Sequence, residues 1–583
     1  MPGSVLFALL GTAAWTASVV LLRPSWAAAL FLLAPFVTVP LGLRLAATPD
    51  RRGVDPLSWR VARILQLPAA IALAASFHFP TSRLAAGLAL PWLVVTFLAA
   101  AFGMRRLVTR GIGPSEELCI DVALFFLAVG GVWAVLTRAV PRPLGFDPIV
   151  GLLTAIHFHY AGFALVLLVG LAGRRLPGGA PKLVVTLVIA GVIGLATGIA
   201  ASIPLLERYA GWTLAFAGFL VAAMHLRVAT LPGRVSFRIA IALSGLSLAS
   251  ALVLAAVYAA RGVVLVPWIV DLGRMAKFHG TANAIGFALL GLLAWTSSPA
   301  PAHAGAPGVP FSALGAILRV GGDFFERRGI AASTDAPPRG LVDSLDEHRR
   351  NALATERVHA AVRAFYERTG DHELIVRPRW HPLFRLGARV FRFFARGVGQ
   401  LQLPIDAERA SDRIESRIVA LDDARDGRTN VRGWVRTFAK DGSAMYVAAY
   451  ATHAHEGVAY MNIAFPLPFG NLTSVLRMDP LFVGGAELGV ELTTRGPSRA
   501  PNDAGIWFVA RGLGALRLPM HETVRVWGAS TRVPPHAINA TELPGATVLA
   551  RHELWLLGLR YLTLDYVIRP RVVVAGREAP VAT

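Results

Sequence analysis

The chain contains few lysines, one cysteine and a minority of acidic residues. Its 583 residues include 57 Lys and Arg against 36 Asp and Glu, and its lysines are Lys182, Lys277 and Lys440. The single cysteine, Cys119, excludes an intramolecular disulfide. The sequence has no P-loop, dinucleotide-binding glycine pattern, nucleophile elbow or zinc-protease motif. It therefore offers no signature that favours an enzyme.

Long apolar runs dominate the first half of the chain. Hydrophobic residues make up 55% of the sequence, and the mean hydropathy is +0.55. A helix of about 20 apolar residues crosses the hydrocarbon core of a bilayer. We therefore predict a polytopic α-helical membrane domain over residues 1–296, with about ten transmembrane helices. The predicted spans are 5–22, 26–43, 64–79, 84–102, 120–136, 149–171, 183–203, 211–226, 239–260 and 278–295.

The net charge of +21 is attributed to membrane topology rather than to nucleic-acid binding, because many arginines lie in short loops between apolar runs. With the N-terminus in the cytoplasm, the even-numbered connections carry 14 basic residues and the odd-numbered ones carry 8. Basic residues favour cytoplasmic loops. We expect a multi-pass protein of the bacterial inner membrane, surrounded by the lipid bilayer, with both termini in the cytoplasm.

The last span carries a polar pair at membrane depth. His279, Asn283 and Gly286 are spaced i, i+4 and i+7, so they share one helix face that points away from lipid. Such a face either packs against a neighbouring helix through small and polar residues or forms a proton relay or ligand site. Both interpretations remain open from the sequence.

An earlier span contains a partial echo of this segment. Residues 155–165 share Gly-Phe-Ala-Leu with residues 286–289, and the alignment places His159 opposite Asn283. The two spans are four apart in the series, so a true repeat would be parallel; chance similarity is the alternative. Within the sixth span, His157 and His159 lie on nearly opposite helix faces. No Cys or carboxylate completes a ligand set, and we expect no metal or cofactor.

Glu117 and Asp121 form an acidic step at the start of the fifth span. Their i, i+4 spacing puts both carboxylates on one face. A solvated helix start favoured by the helix dipole is one interpretation, and an ion path is the other.

Beyond residue 296 the sequence becomes mixed and polar. We predict a flexible linker at 297–350 and a cytoplasmic β-rich domain at 351–583. A basic amphipathic helix is expected at 382–396, where Arg385, Arg389, Arg392 and Arg396 recur at helical spacing. Such a helix suits anionic lipid headgroups at the cytoplasmic leaflet, or it caps the domain's own sheet.

Short runs rich in β-branched and aromatic residues follow, separated by turn signals. They indicate an antiparallel, barrel-like sheet in a soluble α+β tail. The predicted strands are 414–421, 431–438, 444–452, 458–465, 472–478, 485–493, 505–510, 523–527, 547–553 and 561–568.

Several motifs in combination resemble the YndJ-like family of bacterial membrane proteins. They are His279-Gly280-x-x-Asn283-Ala284-x-Gly286-Phe287, His157-Phe158-His159-Tyr160, Phe365-Tyr366-Glu367-x-Thr369, Gly427-Arg428 with Arg432-x-Trp434-Val435-Arg436, Tyr460-Met461-Asn462-Ile463-Ala464-x-Pro466-Leu467-Pro468, Gly505-Ile506-Trp507, Leu518-Pro519-x-x-Glu522 and His552-x-x-Trp555. The resemblance implies a multi-helix membrane part fused to a β-rich tail. It implies no reaction, substrate or catalytic residue.

Three functions are compatible with these observations. The first is a transporter-like protein for a small solute, ion or lipid, with His279 and Asn283 lining a cavity. The second is a haem- or metal-binding membrane redox protein that uses His157, His159 and His279. The third is a membrane-anchored structural protein whose tail binds a lipid or a partner.

Overall fold

The computed structural model of the chain consists of two compact units, Met1–Ala306 and Pro307–Thr583. The structure describes residues 2–47, 56–176, 178–260, 272–300, 308–316, 318–403, 405, 414–482, 488–496, 502–510, 514–530 and 544–571. The two units have separate hydrophobic cores.

The first unit is helical, as predicted. Within the described residues, nine helices are long and apolar enough to cross a membrane, and the first helix adds a shorter apolar stretch, Leu9–Leu22. The last span begins before its predicted start at residue 278, at Leu272. The helices are α1 Pro2–Leu22, α2 Trp26–Ala46, α3 Leu57–Ser76, α4 Arg83–Arg110, α5 Ser115–Ala139, α6 Pro148–Gly173, α7 Ala180–Ala200, α8 Pro204–Ala229, α9 Val235–Ala259 and α10 Leu272–Ser297, with a short 3₁₀ turn at Pro143–Gly145.

Three of these helices contain a π-helical segment. The segments are Ala34–Thr38 in α2, Phe158–Leu165 in α6 and Ala282–Leu289 in α10. They begin at residues 34, 158 and 282, so each begins 124 residues after the one before. In each helix the π-helical segment is followed by eight α-helical residues, which begin after Thr38 in α2, after Leu165 in α6 and after Leu289 in α10. The three segments contact one another.

Apolar side chains lie both in the core and on the surface of the helical unit. Phe31, Trp92 and Phe163 are fully buried in its core. By contrast, Leu90, Val94 and Phe97 of α4 are about half exposed. Exposed apolar side chains on one face of a long helix are expected where that face contacts lipid.

The second unit is built on one antiparallel sheet of twelve described strands. The order along the sheet is β1-β12-β11-β10-β7-β6-β5-β4-β3-β2, and β8 and β9 extend from β6. The terminal strands β1 and β2 contact each other, so the sheet is nearly closed into a barrel. The strands are β1 His372–Trp380, β2 Ile414–Ala420, β3 Arg432–Phe438, β4 Ala444–His455, β5 Val458–Leu467, β6 Gly470–Phe482, β7 Leu488–Thr493, β8 Gly505–Ala510, β9 Gly514–Arg517, β10 Met520–Gly528, β11 Val548–Leu556 and β12 Leu559–Pro570.

Helices and turns pack on this sheet. The helix α12 contributes Val362, Phe365 and Tyr366 to the core of the barrel lumen. The α-helices of this unit are α11 Phe324–Arg327, α12 Ala360–Glu367, α13 Arg385–Val398 and α14 Asp423–Asp426, and the 3₁₀ turns are Leu345–His348, Thr355–Arg357, Thr369–Asp371 and Pro382–Phe384.

The predicted linker at 297–350 differs from the structure over much of its length. The division between the units lies at residues 306 and 307. Phe324 and Phe325 are buried against the outer face of the sheet, and Leu341 and Leu345 belong to the lumen core. The apolar residues of the segment are isolated and follow neither helical nor strand spacing, so the sequence pattern does not predict this packing. The described residues from 308 onward belong to the β unit, whereas residues 297–300 belong to the helical unit.

Candidate functional site

The polar pair of α10 forms a local hydrogen-bond chain. The ring nitrogen Nδ1 of His279 lies 2.9 Å from the carbonyl oxygen of Ala251 in α9, so this nitrogen carries the proton and donates. Asn283 Nδ2 lies 3.0 Å from His279 Nε2, which accepts. Asn283 Oδ1 is buried and has no hydrogen-bond partner among the described residues. The pair is thus satisfied except for one acceptor.

Gly286 allows α9 to approach α10 closely. A Cβ atom at residue 286 would lie 2.0 Å from Ser247 Oγ. The Ser247 hydroxyl donates to the carbonyl oxygen of Ala282 at 3.0 Å. About one helical turn away in α9, the Ser244 hydroxyl donates to the carbonyl oxygen of Phe287 at 2.9 Å. Hydroxyls of α9 therefore bind carbonyls of the π-helical segment in α10.

His159 lies in a closed aromatic environment in α6. It is fully buried, its Nδ1 donates to the carbonyl oxygen of Ala155 at 2.8 Å, and its Nε2 accepts from Trp92 Nε1 at 3.0 Å. Gly130 provides the room, because a Cβ there would lie 2.7 Å from the imidazole. Both ring nitrogens are engaged, so neither is available to a metal ion.

His157, rather than His159, is the α6 histidine near the polar pair. Its side chain is accessible, its Nδ1 lies 2.7 Å from the carbonyl oxygen of Leu153, and it is close enough to His279 for an electrostatic interaction. The two histidines of α6 thus have different surroundings, as their spacing predicts. The pairing of Asn283 with His159 that the echo suggested does not occur in space.

The π-helical segment of α2 completes the set and was not predicted from the sequence. Pro35 has no N–H, so it cannot donate to a carbonyl of the preceding turn. The hydroxyl of Tyr160 donates instead to the carbonyl oxygen of Leu30 at 2.9 Å, and Gln66 Nε2 donates to the carbonyl oxygen of Pro35 at 2.6 Å. The sequence feature that could have indicated this irregular segment is a proline within an apolar span.

The predicted acidic step is a buried ion-pair network. Glu117 pairs with Arg106 Nη2 at 2.6 Å and with Arg174 Nε at 2.7 Å. Asp121 pairs with Arg106 Nε at 2.7 Å and also with Arg110. Both carboxylates have side-chain exposures of 1% or less, so this is not a solvated helix start. The sequence did not reveal the arginine partners, which come from α4 and from the turn after α6.

The basic amphipathic helix occurs as α13, Arg385–Val398. Its buried residues are Ala388 and Ala395, which are seven positions apart on the face toward the domain. Arg385, Arg389 and Arg396 are exposed, while Arg392 is half-buried. The apolar face is turned outward, with exposures of 72% at Leu386, 55% at Val390, 77% at Phe393 and 61% at Phe394. It does not cap the sheet with its apolar face.

No group of three or more His, Cys, Asp or Glu side chains among the described residues is arranged to hold a metal ion. His453 and His455 both contact the buried carboxylate of Asp503, at 3.2 and 3.0 Å. This arrangement ties strand β4 to the segment before β8.

The fold defines a class, a polytopic α-helical membrane protein with a nearly closed β-sheet unit. The family model of YndJ-like proteins matches residues 29–287. An uncharacterized membrane protein YndJ of Bacillus subtilis strain 168 is 28% identical over 488 residues, which are 83% of either chain. This alignment is longer than the helical unit, so it extends into the β unit. The chain is thus similar to the YndJ-like family of membrane proteins, and the resemblance predicted from its motifs is confirmed. No solved structure matches it.

Proposed function

We propose that the helical unit is transporter-like and moves a small solute, ion or lipid across the inner membrane. The observation that carries the proposal is the set of three evenly spaced, mutually contacting π-helical segments. Interrupted helices at corresponding positions of internal repeats are typical of secondary transporters, and π-helical segments often occur at functional sites. On this proposal, His279, Asn283 and His157 line the path, and Gly286 is the packing joint beside it.

The unpartnered acceptor of Asn283 indicates the chemistry of the transported species. A buried amide oxygen without a hydrogen-bond donor is costly. His279 cannot supply one, because its Nδ1 proton is given to Ala251. A ligand or water that donates a hydrogen bond would satisfy Asn283 Oδ1.

Thiol labelling tests whether this site is reached by water. The buried Cys119 is replaced by Ala, and single cysteines are then introduced by Asn283→Cys or, separately, by Ile285→Cys. Ile285 lies in the same π-helical segment but is 45% exposed on the outer face, where lipid shields it. A membrane-impermeant thiol reagent should label residue 283 at least about tenfold faster, because thiolate chemistry needs water.

Equal, background-level labelling at residues 283 and 285 would remove the basis for a solvated path. His279→Cys provides a second test of the same cavity if the Asn283 variant does not fold. Both termini are placed in the cytoplasm on this proposal, from the bias of basic residues alone, and the same reagent added from either side reports the sidedness of the site.

A second proposed function belongs to the β unit, which binds an anionic lipid surface through α13. The outward apolar face is flanked by exposed arginines. Burial of a Phe or Leu side chain contributes about 1.5–3 kcal/mol, and each arginine near an anionic leaflet adds about 1 kcal/mol. Leu386, Phe393 and Phe394 would therefore supply most of the binding free energy.

A fluorescent probe on α13 tests this lipid contact in the full chain. An environment-sensitive dye is attached at Phe393→Cys in the Cys119→Ala background and the protein is placed in nanodiscs. Its emission should shift to the blue when anionic lipid replaces zwitterionic lipid, and the shift should shrink when Arg385, Arg389 and Arg396 become Gln. The matched control is Leu559→Cys, which is 55% exposed on β12. An emission wavelength that is the same in anionic and zwitterionic lipid would rule out the proposed contact.

A further inference from the structure

The lumen of the barrel contains a buried arginine. Arg436 in β3 is 1% exposed, and its guanidinium carbon lies 4.1 Å from the ring centre of Trp434, 5.0 Å from that of Tyr446 and 5.5 Å from that of Tyr566. Its Nε atom is buried without a hydrogen-bond acceptor in the described part of the chain. Three aromatic rings thus surround a buried positive charge.

The aromatic residues place this arginine inside the barrel rather than on its outer face. Trp434 belongs to the lumen core, and Tyr446 and Tyr566 pack against that core. Trp434 Nε1 donates to Ser416 Oγ at 2.6 Å, which fixes the ring beneath the guanidinium. The positive charge therefore lies in an apolar, low-dielectric interior.

The described part of the lumen also contains the carboxylate of Glu522, which has its own partners. Glu522 Oε2 lies 2.6 Å from His552 Nε2, and the hydroxyl of Ser474 donates to Glu522. These contacts hold the pKa of Glu522 below its usual value despite burial, which favours the carboxylate over the neutral acid. Among the described residues, no ion pair joins Glu522 or another carboxylate to Arg436.

Side chains from three of the sequence motifs quoted above face the lumen. Arg436 and Trp434 come from the motif in β3, Glu522 from the motif that leads into β10, and His552 from β11. The proposed membrane transport role uses none of them. Their convergence inside the lumen therefore needs an explanation of its own.

A buried guanidinium without a counter-charge is unfavourable, because its lost hydration is not replaced. The aromatic faces compensate only in part. A carboxylate or phosphate is the natural complement, since either accepts charge-assisted hydrogen bonds from arginine. We propose that the barrel lumen binds the carboxylate or phosphate group of an anionic ligand at Arg436.

Binding of small anions to the purified full chain tests this site. The probes are acetate, octanoate and inorganic phosphate, each followed by titration calorimetry and by the thermal unfolding midpoint. At least one probe should bind saturably and raise the midpoint by several degrees, because a ligand that binds only the folded state stabilises it. Binding of octanoate alone indicates a lipid-derived carboxylate, and binding of phosphate alone indicates a phosphate-bearing ligand.

Variants separate this site from ordinary electrostatic attraction. Arg436→Gln should weaken the binding about tenfold or more, as expected for the loss of a charged hydrogen-bond donor. Arg436→Lys keeps the positive charge but lacks the planar guanidinium, so it should bind the anion with intermediate affinity. This variant also tests the proposal if Arg436→Gln does not fold. The control Arg425→Gln alters an arginine with a side-chain exposure of 57% and should bind like the parent. The proposal is overturned if the parent binds no probe saturably, or if Arg436→Gln binds as the parent does.

Discussion

His157 and His159 lie two positions apart and have very different surroundings. His159 is fully buried, with both ring nitrogens engaged, whereas His157 is accessible beside His279. Helical geometry predicts that the two rings diverge. It does not predict which of them approaches α10, because that depends on the rotation of α6 within the bundle. Trp92, the partner of His159, is 67 residues away in sequence and carries no motif that would mark it.

A buried histidine in the β unit gives a pH-dependent prediction. His348 is 3% exposed, and burial, with a smaller effect of Arg350, lowers its pKa from 6.5 to about 4. Its neutral form is therefore favoured by folding. The resulting stability is fully present above pH 6.5 and is lost as the pH falls toward 4, and it amounts to about 3 kcal/mol.

The variant His348→Gln should lose this part of the pH dependence. Its denaturation midpoint, measured for the full chain in detergent between pH 7 and pH 4, should fall less steeply than that of the parent. The exposed His381 provides the control, since His381→Gln should keep the parent's slope. An unchanged slope in His348→Gln would show that another group governs the acid sensitivity.

The ion-pair network binds three membrane helices at one level. Arg106 of α4 bridges Glu117 and Asp121 of α5, and Arg174 adds the end of α6. Arg106 Nη1 also donates to the carbonyl oxygen of Ala46 at the end of α2, at 3.0 Å. Buried charges persist only when they are paired and hydrogen-bonded. The network therefore fixes the relative positions of these helix ends.

Removal of one carboxylate should lower the free energy of unfolding, because it leaves a buried arginine unpaired. Glu117→Gln leaves Arg174 without a carboxylate partner among the described residues and should destabilise the protein by about 3–5 kcal/mol. Asp147→Asn is the matched control, because Asp147 and Arg142 are 66% and 71% exposed and 3.4 Å apart; it should cost less than about 1 kcal/mol. Thermal unfolding in one detergent compares the two variants. Equal losses would contradict a special role of the buried network.

Strand prediction succeeded where runs rich in β-branched and aromatic residues lie between turn signals. The ten predicted strands correspond to β2 to β8 and to β10 to β12. The strand β1 was missed, because the proline within His372–Trp380 argues against a strand and the segment reaches its place by pairing with β12, nearly two hundred residues later. The short strand β9 pairs only with β8 along the sheet. The strand β1 thus gains its structure from a distant partner, whereas β9 has only four residues and pairs with the strand directly before it.

The whole helical unit has a regularity that the sequence shows only in part. Gly-Phe-Ala-Leu forms the second half of both eight-residue π-helical segments, so the predicted echo coincides with a shared backbone geometry. The segment in α2 begins at the same interval but has Thr38-Val39-Pro40-Leu41 over the region of similarity, so it shares only the last leucine. Its relation to the others is visible mainly in hydrogen bonding and spacing.

The helix count between these segments constrains how such a chain could have lengthened. Among the described helices, each π-helical segment lies four helices after the one before it, with three helices in between. An even number of crossings returns the chain to the side of the membrane from which it started. A duplicated block of this size can be joined end to end without an inverted copy or a linking helix. Tandem copying of a single gene segment would then yield a membrane unit in which every copy already has the required orientation.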